Sequence, residues 1–185
     1  ISLAYGKQAL DVARRSSESD PADTQARQNL ARALSRYGNI LMLVKRRSEG
    51  FGALRESEKT ILELIEREPR NRVYQDDLGT LYPRLGDAEK FVGNLPGALT
   101  QYKRSAEVFN ALAAFDERNA VAQRDWAQAL KSVGITELKL GQKDEARASL
   151  STAVEIVSKL KRQNALGKWD EKIFNEMKQL LASLK

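Results

Sequence analysis

The stretch Ser132–Val154, SVGITELKLGQKDEARASLSTAV, sets Gly134 and Gly141 seven residues apart and Ala146 and Ala153 seven residues apart, with Ala146 five beyond Gly141. Its reading decides the fold. Val121, Trp126, Leu130, Val133 and Leu138 follow helical spacing before the glycine, and Ala146, Leu150, Ala153, Val154, Val157 and Leu160 follow it afterwards. The stretch therefore reads as helix, turn at GQKD, helix. Gly141 suits the left-handed residue that closes a helix, and Asp144 suits the N-cap of the next. So short a connection makes the helices antiparallel. Gly134 then faces Ala146 where two backbones cross too closely for larger side chains, and Trp126, Tyr102 and Leu150 fill the space around them.

The pattern recurs every 48 residues: Leu30, Leu78 and Trp126; Ala31, Gly79 and Ala127; Leu34, Tyr82 and Leu130; Gly38, Gly86 and Gly134. It continues in Gly93 and Gly141, Ala98 and Ala146, and Tyr102 and Leu150. Asp20-Pro21, Glu68-Pro69 and Asp116-Glu117 keep the same register. An acidic N-cap followed by proline at the first helical position is the expectation at Pro21 and Pro69. The first copy departs between residues 45 and 68, where EGFG reads as the turn. A shift of three then puts Ala53 where Ala98 and Ala146 stand.

The spacing predicts one all-α domain over 1–185, with helix hairpins at 21–68, 69–116 and 117–164. Residues 1–19, with GKQAL parallel to PGALT and DEARA, read as the second helix of a partial copy. A chain beginning at Ile1 rather than methionine reads as a piece of something longer. Residues 168–185 place Trp169, Ile173, Met177, Leu180 and Leu184 on one stripe, as a capping helix would. Pro83 falls inside an expected helix and predicts a kink or a split near Tyr82.

Composition restricts the chemistry. The 185 residues are 42% hydrophobic and 30% charged, a globular balance, and no apolar run approaches the ~18 residues that span a bilayer. Insertion of this segment into a membrane is not expected. Cysteine and histidine are absent, which removes thiol nucleophiles, disulfides and the usual zinc ligands. No phosphate loop, dinucleotide fingerprint or nucleophile elbow occurs; GNLPGA lacks the lysine and the preceding strand. Asp76-Asp77 is the only adjacent pair of aspartates, and neighbours on a helix diverge by about 100°. Ser16, Ser17 and Lys7 form no dyad by spacing. The expectation is a protein that is not an enzyme, with no catalytic residue, no metal and no cofactor.

A Leu/Val-Gly pair, a glycine seven later, an alanine five after that, an aromatic or Leu four on and a small residue three further resemble the tetratricopeptide repeat. The copies are Tyr37-Gly38, Ala53, Ser57 and Thr60; Leu85-Gly86, Gly93, Ala98, Tyr102 and Ser105; and Val133-Gly134, Gly141, Ala146, Leu150 and Ala153. The usual period is about 34 residues, so this sequence is similar to the long-helix variants, which in bacteria are appended to signalling proteins such as serine/threonine kinases. The resemblance implies an α-α superhelix, a solenoid of antiparallel hairpins whose first helices line a concave groove. The implied groove positions are Arg32, Ser35, Arg36, Asn39 and Met42; Thr80, Arg84, Asp87 and Lys90; and Gln128, Lys131, Ile135, Leu138 and Lys139. Six cations there face one acid, with Met42 and Ile135 as exposed apolar slots. Of the Lys and Asn set of the carboxylate clamp in chaperone-binding relatives, only Asn39 and Lys131 have counterparts.

The implied function is noncatalytic: a scaffold, docking or sensor module binding a protein or an acidic or C-terminal peptide, since arginine grips carboxylate bidentately. A homodimer through the open edge at 1–19 is the alternative. The net charge of +6 and the clusters Arg14-Arg15, Lys45-Arg46-Arg47 and Lys159–Arg162 raise nucleic acid as a third reading. It is not favoured, because aromatics are only 6% and fall mostly in core positions.

Overall fold

A computed structural model describes residues 2–165 and 168–184, the side chains of 168–170 excepted. Ile1, Lys185 and the Trp169 side chain expected on the capping stripe lie outside the described set. The described residues form eight helices in order: α1 (Leu3–Ser19), α2 (Thr24–Leu43), α3 (Arg47–Arg67), α4 (Arg72–Phe91), α5 (Leu95–Phe115), α6 (Ala120–Lys139), α7 (Lys143–Arg162) and α8 (Lys168–Ala182). Among the described residues there is no strand, and no helix is long and apolar enough to cross a membrane.

The chain forms two compact units, Ile1–Val92 and Gly93–Lys185. In the first, α2 packs on α1, α3 and α4, and α3 also packs on α4; in the second, each helix from α5 to α8 packs on the next. The expected hairpin 69–116 thus contributes α4 to one unit and α5 to the other.

Helix starts follow the N-caps. Asp23, Asn71 and Asn119 each accept from backbone N–H groups of the first turn of α2, α4 and α6, at 2.8–3.1 Å. The expected acidic caps stand three residues earlier, where Asp20, Glu68 and Asp116 instead cap the C-termini of α1, α3 and α5. Pro21 and Pro69 lie in the turns between, not at the first helical position. Asp144 is likewise inside the first turn of α7, whose N-cap is Gln142; its carboxylate accepts from Arg147 at 3.2 Å. The core stripe of α4 and α6 begins one residue later than expected: Tyr74 and Ala122 are buried, whereas Val73 and Val121 are half exposed.

The turns correct the register of the first copy. Lys45, Gly93 and Gly141 stand 48 residues apart, and all three have positive φ, at 64°, 83° and 79°. Lys45 does in the first copy what glycine does later, and Arg46 N–H reaches back to the Leu41 carbonyl at 2.9 Å, as Gln142 N–H does to Glu137. EGFG is therefore helical, inside α3, and no shift of three exists. Gly50, not Ala53, occupies the place of Ala98 and Ala146.

The crossing points show why. A Cβ on Gly38 would lie 2.9 Å from Leu54 Cγ and 3.0 Å from the Gly50 carbonyl oxygen; one on Gly134 would lie 2.8 Å from Leu150 Cγ and 3.3 Å from the Ala146 carbonyl oxygen. Gly86, Ala98 and Ala146 are buried as well. Ala53 packs with Leu10 and Leu34, toward α1.

No split interrupts α4 near Tyr82; it runs as one helix through Pro83. A mid-helix proline costs about 3 kcal/mol. Burying Leu81, Tyr82 and Leu85 around it contributes about 1.5–3 kcal/mol each, which outweighs that cost.

Candidate functional site: the arginine face of α2 and α4

In the first unit α2 lies against α4, so the groove positions of the two helices meet. Arg32 Nε donates to Asp77 Oδ1 at 2.7 Å, and Gln28 Nε2 donates to Asp77 Oδ2 at 2.6 Å. Both carboxylate oxygens are thereby engaged. Arg84 donates through Nη1 to the buried Ser35 hydroxyl. Burial pushes the Arg84 guanidinium below its usual pKa, and the neighbouring Arg36 charge pushes the same way. Among the described residues neither Arg36 nor Arg84 has a carboxylate partner. Arg32, Ser35, Arg36, Asp77, Thr80 and Arg84 line one pocket of about 100 Å³.

The remaining first-unit positions differ in character. Asn39 is half-buried, and Lys90 pairs with Asp87 at 3.0 Å. Met42 is 3% exposed and offers no apolar slot: its Sδ occupies the space over Gly50, inside the α2–α3 hairpin. Asp77 was not among the expected groove positions, although it stands three residues before Thr80, where helical periodicity places a shared face.

In the second unit Lys131 is not an open cation. Its Nζ donates to Glu176 of α8 at 2.5 Å and its side chain is 12% exposed. That hydrogen bond, with the charge of Lys131 behind it, holds the Glu176 carboxyl below the usual carboxylate range. Phe174 and Met177 of α8 bury against Ala153, Val157 and Leu160. Ile135 is half-buried and Lys139 exposed. The expected balance of six cations to one acid thus becomes three cations paired with carboxylates of this chain (Arg32, Lys90 and Lys131) and three not so paired among the described residues (Arg36, Arg84 and Lys139).

Two acids, Glu137 buried and Glu89 half-buried, escaped the sequence reading. Glu137 is 2% exposed, 3.1 Å from Lys103 Nζ, and accepts from Ser149 Oγ at 2.8 Å. Glu89 lies 3.6 Å from Arg55. The signal was in the text: 55 and 103, like 89 and 137, stand one period apart. The basic clusters are at least partly spent locally, as in Arg14 with Glu56, Arg46 with Glu49 and Lys161 with Glu171. Among the described residues no group of three acidic side chains converges as a metal site would need.

No family model matches the sequence, and no curated protein matches it. Among solved structures the chain is similar to BtubC (BKLC) from P. vanneervenii, with a TM-score of 0.65 and 16% identity, covering 88% of this chain and 57% of that one. The chain thus spans little more than half the length of that protein. A de novo designed helical repeat protein, DHR64, aligns over 98% of this chain and 92% of its own with a TM-score of 0.40 and 11% identity. The chain has a helical-repeat fold.

Proposed function

Proceeding from a helical-repeat fold, we propose that the chain is a noncatalytic interaction module that docks an acidic segment of a protein partner on the α2–α4 face. In this reading it is a long-helix array of tetratricopeptide type with a 48-residue unit, at 21–68, 69–116 and 117–164, between a partial copy at 1–19 and a capping helix at 168–185. The starts of α2, α4, α6 and α8 at residues 24, 72, 120 and 168 support that unit. The observation that carries the function is the pair Arg36 and Arg84, which line one pocket and, among the described residues, are paired with no carboxylate. A guanidinium held in part away from water gains most from an incoming acid.

Selection from a displayed random-peptide library tests it. Binders rich in Asp and Glu are the expected outcome, with capture lost on Arg36→Glu while the melting curve is unchanged. Binders without acidic enrichment, or binding indifferent to Arg36→Glu, would refute the docking face.

Self-association through the first helix is the second reading, favoured by a groove of about 400 Å³ between α1 and α2 beside Tyr5, itself 71% exposed. Light scattering that rises with concentration, and falls on Tyr5→Glu, is its signature.

A further inference from the structure

We propose that the Arg36–Arg84 pocket receives a phosphomonoester dianion, the phosphate of a phosphorylated serine or threonine in the partner. The inference rests on the α2–α4 face being the docking surface and names what anchors there.

Charge matching comes first. The pocket holds three guanidiniums and one carboxylate, and Asp77 is already bonded by Arg32 and Gln28 through both oxygens. Arg36 and Arg84 remain as two positive charges lining one pocket, and burial first, then the Arg36 charge, lowers the pKa of Arg84. A carboxylate supplies one negative charge and a phosphodiester one per phosphate. A phosphomonoester supplies between about 1.5 and 2 at neutral pH, together with three strong acceptor oxygens.

Donor matching agrees. Ser35 is 4% exposed and its oxygen accepts from Arg84, and no acceptor stands against its own hydrogen among the described residues. The Thr80 hydroxyl, on α4, likewise has none there. Two guanidiniums and two hydroxyls therefore line one space of about 100 Å³, and apart from the Arg84 Nη1 bond to Ser35 their donors have no acceptor among the described residues. A tetrahedral group with three terminal oxygens satisfies more of them than a planar carboxylate can.

The test is an NMR titration of the arginine Nε–H signals of the whole chain with four probes: N-acetyl-phosphoserine amide, N-acetyl-glutamate amide, inorganic phosphate and a short single-stranded oligonucleotide. Saturable shifts confined to Arg36 and Arg84 are expected with phosphoserine amide. Affinity should be about tenfold lower for the glutamate amide, as loss of one charge-assisted bond implies. Arg84→Gln should weaken phosphoserine binding about tenfold, and Arg36→Gln, at an exposed position outside the core, provides the same readout should Arg84→Gln unfold. No saturable shift with phosphoserine amide overturns the proposal, as does equal affinity for the glutamate amide. Tighter binding of inorganic phosphate assigns the pocket to the free ion, and tighter binding of the oligonucleotide assigns it to nucleic acid; either overturns it too. Failure here alongside acid-rich library binders leaves the docking face standing, whereas failure of the library selection removes it.

Discussion

Lys103 Nζ lies 3.1 Å from Glu137 Oε1, and each of these residues stands 48 positions beyond one member of the pair Arg55 and Glu89, 3.6 Å apart. The same ion pair is thus made twice, from α3 to α4 and from α5 to α6. The acid is the buried partner each time, with 15% of the Glu89 side chain and 2% of the Glu137 side chain exposed, while the cation reaches in from the surface. A carboxylate without water is costly unless it is paired.

Lys103→Met leaves Glu137 buried with Ser149 as its only remaining hydrogen-bond partner among those described. The expected cost is about 2 kcal/mol of unfolding free energy in urea, below the 3–5 kcal/mol typical of broken buried pairs because Lys103 itself is half exposed. Adding Glu137→Leu should restore most of the loss. A double variant less stable than the single would contradict this role.

The glycines inside helices separate by what surrounds them. A Cβ on Gly52 meets nothing within 4 Å, so Gly52→Ala should stabilise by about 0.5–1 kcal/mol through helix propensity. Gly38→Ala drives a methyl toward the backbone oxygen of Gly50 and the branch carbon of Leu54, and should destabilise by about 1–2 kcal/mol. Chemical denaturation of the two variants side by side checks the opposite signs.

Lys45 occupies a left-handed conformation at φ 64° that costs an L-residue about 1 kcal/mol. Lys45→Gly should therefore raise stability, by about 0.5 kcal/mol once the freer unfolded chain is counted, and Gly141→Ala should lower it by about 1 kcal/mol. Thermal melts of both variants provide the comparison.

Glu176 titrates below its ordinary value of 4.5 because Lys131 donates to its charged form. A depressed folded-state pKa stabilises above the unfolded-state value and is lost as pH falls through the folded one. The difference in melting temperature between the parent chain and Glu176→Gln should accordingly be present at neutral pH and vanish in the acid range below 4.5. A difference that persists unchanged there would contradict the Lys131–Glu176 link.

Helix periodicity made the hairpins legible, and the close approach of backbones made the small residues at 38, 134 and 146 legible with them. The first copy was misread because glycine was taken as the only turn-maker: Lys45 hid the true turn, while Gly50 and Gly52 imitated one inside a helix. The caps were missed by three residues because Asp-Pro and Glu-Pro signal the end of one helix as well as the approach of another. At the candidate site, Arg32, Arg36 and Arg84 were among the groove positions that the family resemblance implied. Residue spacing could not say that Arg32 and Lys131 were neutralised, because their carboxylates, Asp77 and Glu176, lie about 45 residues away on other helices.

The central claim is that the chain is built of interchangeable 48-residue units. Deleting residues 69–116 removes one unit, α4 with α5, and brings Arg55 of α3 to Glu137 of α6 in place of Glu89. Circular dichroism of that variant against urea tests the claim most directly. An undiminished helical fraction with a single cooperative transition is the predicted result. Loss of helix, or a gradual transition without a midpoint, would contradict it.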